Sequence, residues 1–275
     1  MIRLIATDLD GTLIDHDETL EDYEQLCRAV ANVRQFGGKW CIITGRHLGA
    51  MQTILREFYY KRLVPDYLVV EDARIYTVRL PLRFWPHWYW NLRIDARRFL
   101  LNLKHRKILN QLATELQTVV TDGENRSRPG IDIWLHCPDE AEAEKAEAFL
   151  GGRAADLPDY LLFRWGTEVC LAPAIGTKAD ALGRLSRKLG MHPSEIFAVG
   201  DGANDVPMLQ SPLVGWAACV ANASDSVRAT IERRGGYVAT QNGLKGVLEA
   251  LEATVPPAPV PPAQAPPIPA AAEQH

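Results

Sequence analysis

The chain begins with Ile2–Ala6, a mostly apolar run too short for a helix and followed by two acids and a glycine. That pattern predicts a strand buried on both faces. Leu20, Tyr23, Leu26, Val30 and Val33 then recur at helical spacing within Thr19–Phe36, and Gly37-Gly38 stops them. Trp40–Ile43 reads as a second strand, His47–Tyr59 as a second helix and Tyr67–Val70 as a third strand. Strand, helix, strand, helix, strand predicts an α/β fold: a Rossmann-like parallel-sheet core.

The rhythm breaks between Arg79 and Leu171. This stretch holds the aromatic run "LPLRFWPHWYWNL" (80–92), a helical pattern over Ala96–Leu116, a strand at Ile131–Leu135 and an acidic-alanine helix at Asp139–Phe149. Strands at Tyr160–Phe163 and Glu168–Leu171 complete a separate inserted α/β cap domain. The first rhythm then resumes with a helix over Lys178–Leu189 closed by Gly190, a strand at Ile196–Val199 and a short helix at Asp205–Gln210. Leu213–Trp216 (strand), Ser224–Arg233 (helix), Tyr237–Ala239 (strand) and Leu244–Leu251 (helix) follow. The expected division is a core of residues 1–78 and 172–253, a cap of residues 79–171 and a Pro/Ala-rich, disordered tail at 256–275.

Composition changes this picture little. The 275 residues are 47% hydrophobic and 23% charged, ordinary for a soluble protein. The net charge of −4 predicts no general attraction to nucleic acid or to an anionic membrane. Five scattered cysteines without a CxxC pair read as reduced, buried side chains. No leader pattern or membrane-length apolar run is seen, so a cytoplasmic protein, monomer or homodimer, is expected.

The chemistry lies where parallel strands end, since open α/β sheets bind ligands beyond the carboxyl ends of their strands. Asp8 and Asp10 follow the first strand, Thr44, Gly45 and Arg46 the second, and Gly200, Asp201, Gly202, Ala203, Asn204 and Asp205 the strand at 196–199. Lys178 opens the resumed helix. Each has a plain reading alone: Asp10-Gly11 as a turn, Thr44 as a helix cap, Lys178 as a surface lysine, Asp201 and Asp205 as loop acids. Taken together, the acids are hard oxygen ligands for a cation such as Mg²⁺, and Thr44 and Lys178 suit an anion. One carboxylate can attack phosphorus while the other handles a proton. Arg46 either pairs with a nearby acid or faces substrate. The aromatic run is either cap core, a dimer contact or a substrate platform.

"DLDGTL" (8–13), "TGR" (44–46), a lone lysine opening a helix (178) and "GDGAND" (200–205), in that order, resemble the four motifs of the haloacid dehalogenase superfamily phosphatases. The insert between the second and third motifs resembles the C2-type cap of the Cof-type and sucrose-phosphatase-like branch. The resemblance implies Asp8 as nucleophile and Asp10 as general acid/base. It implies Thr44, Gly45, Lys178 and Asn204 around substrate, Asn204 helping to orient the site. Mg²⁺ would be held by Asp8, Asp201 and the Asp10 backbone carbonyl, with Asp205 steadying the metal's water shell or the lysine. One departure stands out: Glu71-Asp72 replaces the usual Asn-Gly near the site mouth and adds negative charge there. The expected function is hydrolysis of a small phosphorylated metabolite, a sugar phosphate, through an aspartyl-phosphate. A sugar phosphomutase or phosphotransferase, or an idle binding protein on the same fold, are the competing readings.

Overall fold

Leu4, Ile5 and Ala6 have no exposure: their strand is paired in parallel on both edges, and their side chains lie in the larger apolar core. The computed structural model describes residues 1–153 and 156–254. The expected proline-rich tail at 256–275 lies outside the described residues. The chain runs β1 (Leu4–Thr7), α1 (Leu20–Arg34), β2 (Lys39–Ile43), α2 (Leu48–Tyr60), β3 (Tyr67–Val70), β4 (Arg74–Arg79) and β5 (Arg83–Pro86). It continues with α3 (Trp88–Val119), β6 (Glu124–Asn125), β7 (Ile133–His136), α4 (Glu140–Gly151), β8 (Tyr160–Trp165) and β9 (Glu168–Pro173). It closes with α5 (Lys178–Leu189), β10 (Ile196–Gly200), α6 (Val206–Leu209), β11 (Trp216–Cys219), α7 (Asp225–Arg234), β12 (Tyr237–Val238) and α8 (Gly243–Thr254).

An eight-stranded sheet has the order β12-β11-β10-β1-β2-β3-β4-β5, parallel from β12 to β3 and antiparallel at β4 and β5. A second, four-stranded antiparallel sheet, β6-β7-β9-β8, carries the insert. Each sheet has its own apolar core. Trp40, Phe58 and Phe197 sit in the larger one. Leu109, Leu112 and Leu116 of α3 meet Ala143, Ala146 and Leu150 of α4 in the smaller one. The helices start where the sequence carries caps. Thr19 and Asp22 form a reciprocal capping box on α1, Thr177 and Asp180 another on α5, and Gly190 ends α5 in the left-handed conformation. Among the described residues, no helix is long and apolar enough to cross a membrane.

Three expectations need correction. The strand expected at Leu213–Trp216 is shifted to Trp216–Cys219. Val214 N–H and Gly215 N–H are taken by the carbonyls of Ser211 and Pro193, so pairing with β10 starts only at Trp216. The helix expected at Ala96–Leu116 begins eight residues earlier, at Trp88. The aromatic run does not open the insert: Arg83–Pro86 pairs with β4 as an edge strand of the large sheet, so that sheet reaches past the expected boundary at residue 79. The β-favouring aromatics there serve both a strand and a helix start, which period alone cannot separate.

His87, at the start of α3, lies between Thr77 Oγ1 (3.0 Å) and Lys188 Nζ (3.2 Å). Burial first, then the charges of Lys188 and Arg184, push its imidazole down from 6.5 to about 4. The unfolded chain therefore takes up this proton at a higher pH than the folded one. The contribution is whole above pH 6.5 and is lost as pH falls through about 4. Urea titrations between pH 7 and pH 4 are expected to show a smaller acid-induced loss for His87→Gln than for the wild type.

Candidate active site

Burial of β1 carries its polar successors to one sheet margin. Thr7 pairs level with Ile42 of β2 and Val199 of β10, so Asp8, Thr44 and Asp201 emerge side by side. Past Thr7 the chain turns tightly: the N–H groups of Leu13 and Ile14 both donate to the carbonyl of Leu9. Gly11, in the left-handed region at φ 72°, makes this turn. A Cβ there would lie 2.3 Å from Asp201 Oδ2, so only glycine lets the two loops approach so closely.

Lys178 Nζ, 1% exposed, donates to Asp8 Oδ1 at 2.6 Å and to Asp205 Oδ1 at 2.7 Å. Asp205, fully buried, accepts from the backbone N–H groups of Asp201 and Gly202 with its other oxygen. Asp201 Oδ1 accepts from Thr12 Oγ1 at 2.6 Å. Four of the expected residues, Asp8, Lys178, Asp201 and Asp205, thus form one connected cluster. Thr44 is buried at the adjoining strand end, where its hydroxyl accepts from Arg46 N–H and its carbonyl from Asp72 N–H.

The remaining residues sit around this cluster. Asp10 turns its carboxylate outward into a two-pronged pair with Arg46, Nη2 to Oδ1 at 2.6 Å and Nε to Oδ2 at 2.8 Å. Of the two readings of Arg46, the structure shows the acid partner. Asn204 Nδ2 lies 3.4 Å from Asp72 Oδ1, and Gly45 sits beneath the same carboxylate. Glu71 and Asp72 both adopt positive φ, 49° and 61°. Arg98, from α3, donates one Nη2 to the carbonyls of Glu71 and Gly176, which pins the helix to the loop preceding Lys178.

Sequence reasoning missed Arg98 and Asn222. Arg98 carries no local signal. Asn222 holds Gly11 from behind: its Nδ2 donates to the Gly11 carbonyl and its Oδ1 accepts from Gly243 N–H. It follows β11, and reading strand ends in turn would have found it had that strand been placed correctly.

The cluster carries three carboxylates against one ammonium, which leaves two negative charges in a buried place. Burial above all, then Asp205, pushes the Asp8 carboxyl well above its usual range against the pull of Lys178. Burial and Asp205 likewise push Asp201 up to about 6. Burial opposes the Lys178 charge, but Asp205 and Asp8 together hold it above the ordinary lysine range. Oxygens of Asp8, Asp201 and Asp205 all lie within 4.8 Å of one another. Lys178 and backbone N–H groups engage both Asp205 oxygens, whereas Asp8 and Asp201 each keep one oxygen with no N–H or hydroxyl donor among the described residues. Two adjacent carboxylates whose outer oxygens take no N–H or hydroxyl donor among the described residues, in a place where burial opposes their charge, fit a divalent, oxygen-preferring cation such as Mg²⁺.

Comparison with known proteins shows what the chain is similar to. Residues 1–253 match the family model of sucrose-6F-phosphate phosphohydrolase. A phosphoglycolate phosphatase of Thermoplasma acidophilum is 26% identical over 234 residues, covering 83% of this chain and 89% of that protein. The 5-amino-6-(5-phospho-D-ribitylamino)uracil phosphatase YitU of Bacillus subtilis is 23% identical over 256 residues, 84% and 90% of the two chains. The sucrose-phosphatase of Synechocystis sp. PCC6803, solved with sucrose and phosphate, superposes with a TM-score of 0.64 at 18% identity, covering 91% of this chain and 97% of that one. Fold and site together define a haloacid dehalogenase superfamily phosphatase of the Cof-type, sucrose-phosphatase-like subclass IIB. Within that class the chain belongs to the sucrose-6F-phosphate phosphohydrolase family, and it is a phosphoric monoester hydrolase acting on small phosphorylated metabolites.

Removing Lys178 would leave Asp8 and Asp205 buried without their cation. Lys178→Met is expected to lower stability by about 3–5 kcal/mol in urea denaturation without divalent cations. Because the partners share one network, the double change Lys178→Met/Asp205→Asn is expected to cost less than the sum of its parts.

Proposed function

We propose that the chain is a Mg²⁺-dependent phosphatase of sugar phosphates that works through a phosphoryl group on Asp8. The observation that carries this reading is the split environment of Asp8. One oxygen is fixed by Lys178, while the other has no N–H or hydroxyl donor at the open margin of the sheet. The oxygen that Lys178 orients attacks phosphorus as the bond to the leaving oxygen breaks, the other being left to face the cation, and Asp10 gives its proton to the departing alkoxide. Water then loses a proton to Asp10 and attacks the same phosphorus, which releases phosphate and restores Asp8. Thr44 and Lys178 bind the transferring group. The cation, when bound by Asp8 and Asp201 with the Asp10 carbonyl, supplies positive charge against the phosphoryl oxygens. Asp10 must leave Arg46 to reach the leaving group, and its side chain is half-exposed and able to turn.

The family model supports a sugar phosphate, as does the ribityl phosphate in the name of the YitU relative. Asp72 argues against a substrate with a second anionic group, because its carboxylate stands over Gly45 and beside Asn204. The residues thus favour a neutral polyol over the phosphoglycolate of the Thermoplasma relative.

Phosphate release across a panel of phosphorylated metabolites tests the reading. Asp8→Asn is expected to lower turnover by at least about 10³-fold with its circular dichroism unchanged. Equal rates in the two proteins would remove Asp8 as nucleophile. A matched set of two-carbon esters isolates Asp72. Wild type should prefer ethyl phosphate and phosphoethanolamine to phosphoglycolate, and Asp72→Asn should narrow that gap by roughly fivefold or more, about the worth of one nearby charge.

A further inference from the structure

The first half of α3 shows water a face that a soluble helix normally hides. Trp88, Leu92, Phe99 and Leu103 recur at intervals that place them on one stripe, with Tyr89 and Leu100 beside it. Trp88 is 78% exposed, Tyr89 73% and Phe99 63%. Aromatic side chains carry about 150–250 Å² each, so these three alone leave roughly 400 Å² of apolar surface in water, about the largest patch an ordinary monomer shows. The stripe runs roughly 24 Å along the helix and then stops. The same face continues as Arg106, Asn110 and Gln117. The opposite face of these turns is already used: Asn91 bonds both backbone groups of Ile75, and Arg98 is pinned to Glu71 and Gly176. The apolar face is therefore displayed by an anchored helix, not by a loose one.

Charge selects what covers it. Residues 79–107 hold eight of the chain's 30 lysines and arginines but one of its 34 acids, Asp95, which pairs with Arg74. The net charge of −4 conceals this basic segment. Arg93 and Arg97 border the stripe near its midpoint, both exposed and without a carboxylate partner among the described residues, while Lys104 pairs with Asp159. Two copies packed face to face, in either direction, would bring those arginines against their own kind. An anionic lipid surface meets both features at once, since Trp and Tyr favour the headgroup level and arginines favour the negative charge.

We infer that the exposed face of α3, centred on Trp88, Leu92, Phe99 and Leu103 and bordered by Arg93 and Arg97, is a docking surface for an anionic lipid bilayer. The helix lies on the membrane and does not span it.

Sedimentation of the full-length protein with vesicles tests this. Binding is expected with phosphatidylcholine vesicles containing phosphatidylserine, weaker binding with phosphatidylcholine alone, and a loss on adding salt. Arg93→Gln/Arg97→Gln should lower the partition coefficient for the anionic vesicles roughly 10- to 30-fold. Trp88→Ser/Phe99→Ser should abolish it. Both variants lie outside the phosphatase site and should hydrolyse a soluble ester at the wild-type rate. If the aromatic variant fails to fold, the arginine variant and quenching of wild-type tryptophan fluorescence by brominated lipid decide the matter. Failure of the wild type to sediment with anionic vesicles overturns the inference. So does a wild-type dimer in light scattering that Trp88→Ser/Phe99→Ser dissociates, since the face would then belong to a second copy.

Discussion

The Nζ of Lys178 joins two carboxylates, Asp8 and Asp205, from loops after different strands and in a place with almost no water. Alone, each carboxylate would be strongly disfavoured there, and so would the ammonium. Together they remain two charges short of neutral once Asp201 is counted. The arrangement is therefore built around something positive that the chain itself does not supply. The loops reinforce it: Asp205 uses its second oxygen to close the turn at Asp201 and Gly202, so the residue that holds the lysine also shapes the loop that presents Asp201. Gly11 and Gly200 make this possible, because a Cβ at either would lie within 2.5 Å of an Asp201 or Asp205 oxygen.

Most of this was legible because parallel-sheet geometry converts sequence order into place. Once β1, β2 and β10 are recognised as buried strands, the residues after them must meet at one margin, and Asp8, Thr44 and Asp201 do. Contacts made by long side chains were not legible. Nothing in the local sequence of Arg98 shows that it reaches two carbonyls, on residues 27 and 78 positions away. The β11 error has the same root. Leu213 and Val214 look like strand residues, but a long-range bond from Gly215 to Pro193 takes their segment out of the ladder. Local propensity yields when a distant backbone partner competes for the same N–H.

One ion pair and one longer-range charge effect at the rim temper the cluster without entering it. Arg46 grips Asp10 by both oxygens, which holds its carboxylate turned outward, away from the cluster. A side chain proposed to reach the leaving group is thereby parked at the rim, and it must let go of Arg46 to move. Asp72, bonded to Asn204, also feels the charge of Arg98 from the insert. Burial raises its carboxyl and Lys178 and Arg98 lower it, so its ionisation responds both to the cluster below and to the helix above. The negative rim is thus tied to the inserted unit through a side chain that also fixes the loop of Lys178.

That tie explains why α3 resisted reading and why its outer face is informative. A surface helix normally shows one apolar stripe, and period detection depends on the contrast with its polar side. From Trp88 to Leu103 the contrast is missing: Ile94 and Leu101 are buried on one side while Trp88, Leu92, Phe99 and Leu103 are exposed on the other. From Arg106 onward the contrast returns; the helix expected at Ala96–Leu116 took in that part and only the second half of the low-contrast stretch, and missed Trp88–Asp95. A folding requirement alone would give the whole helix the second pattern, since the buried face already supplies its packing. The apolar outer face of the first half therefore answers to something other than folding. Its arginine border narrows the choice to a surface of opposite charge. Because Arg98 on the same turns grips the Gly176 carbonyl, whatever rests on that face presses on the helix that anchors the loop of Lys178.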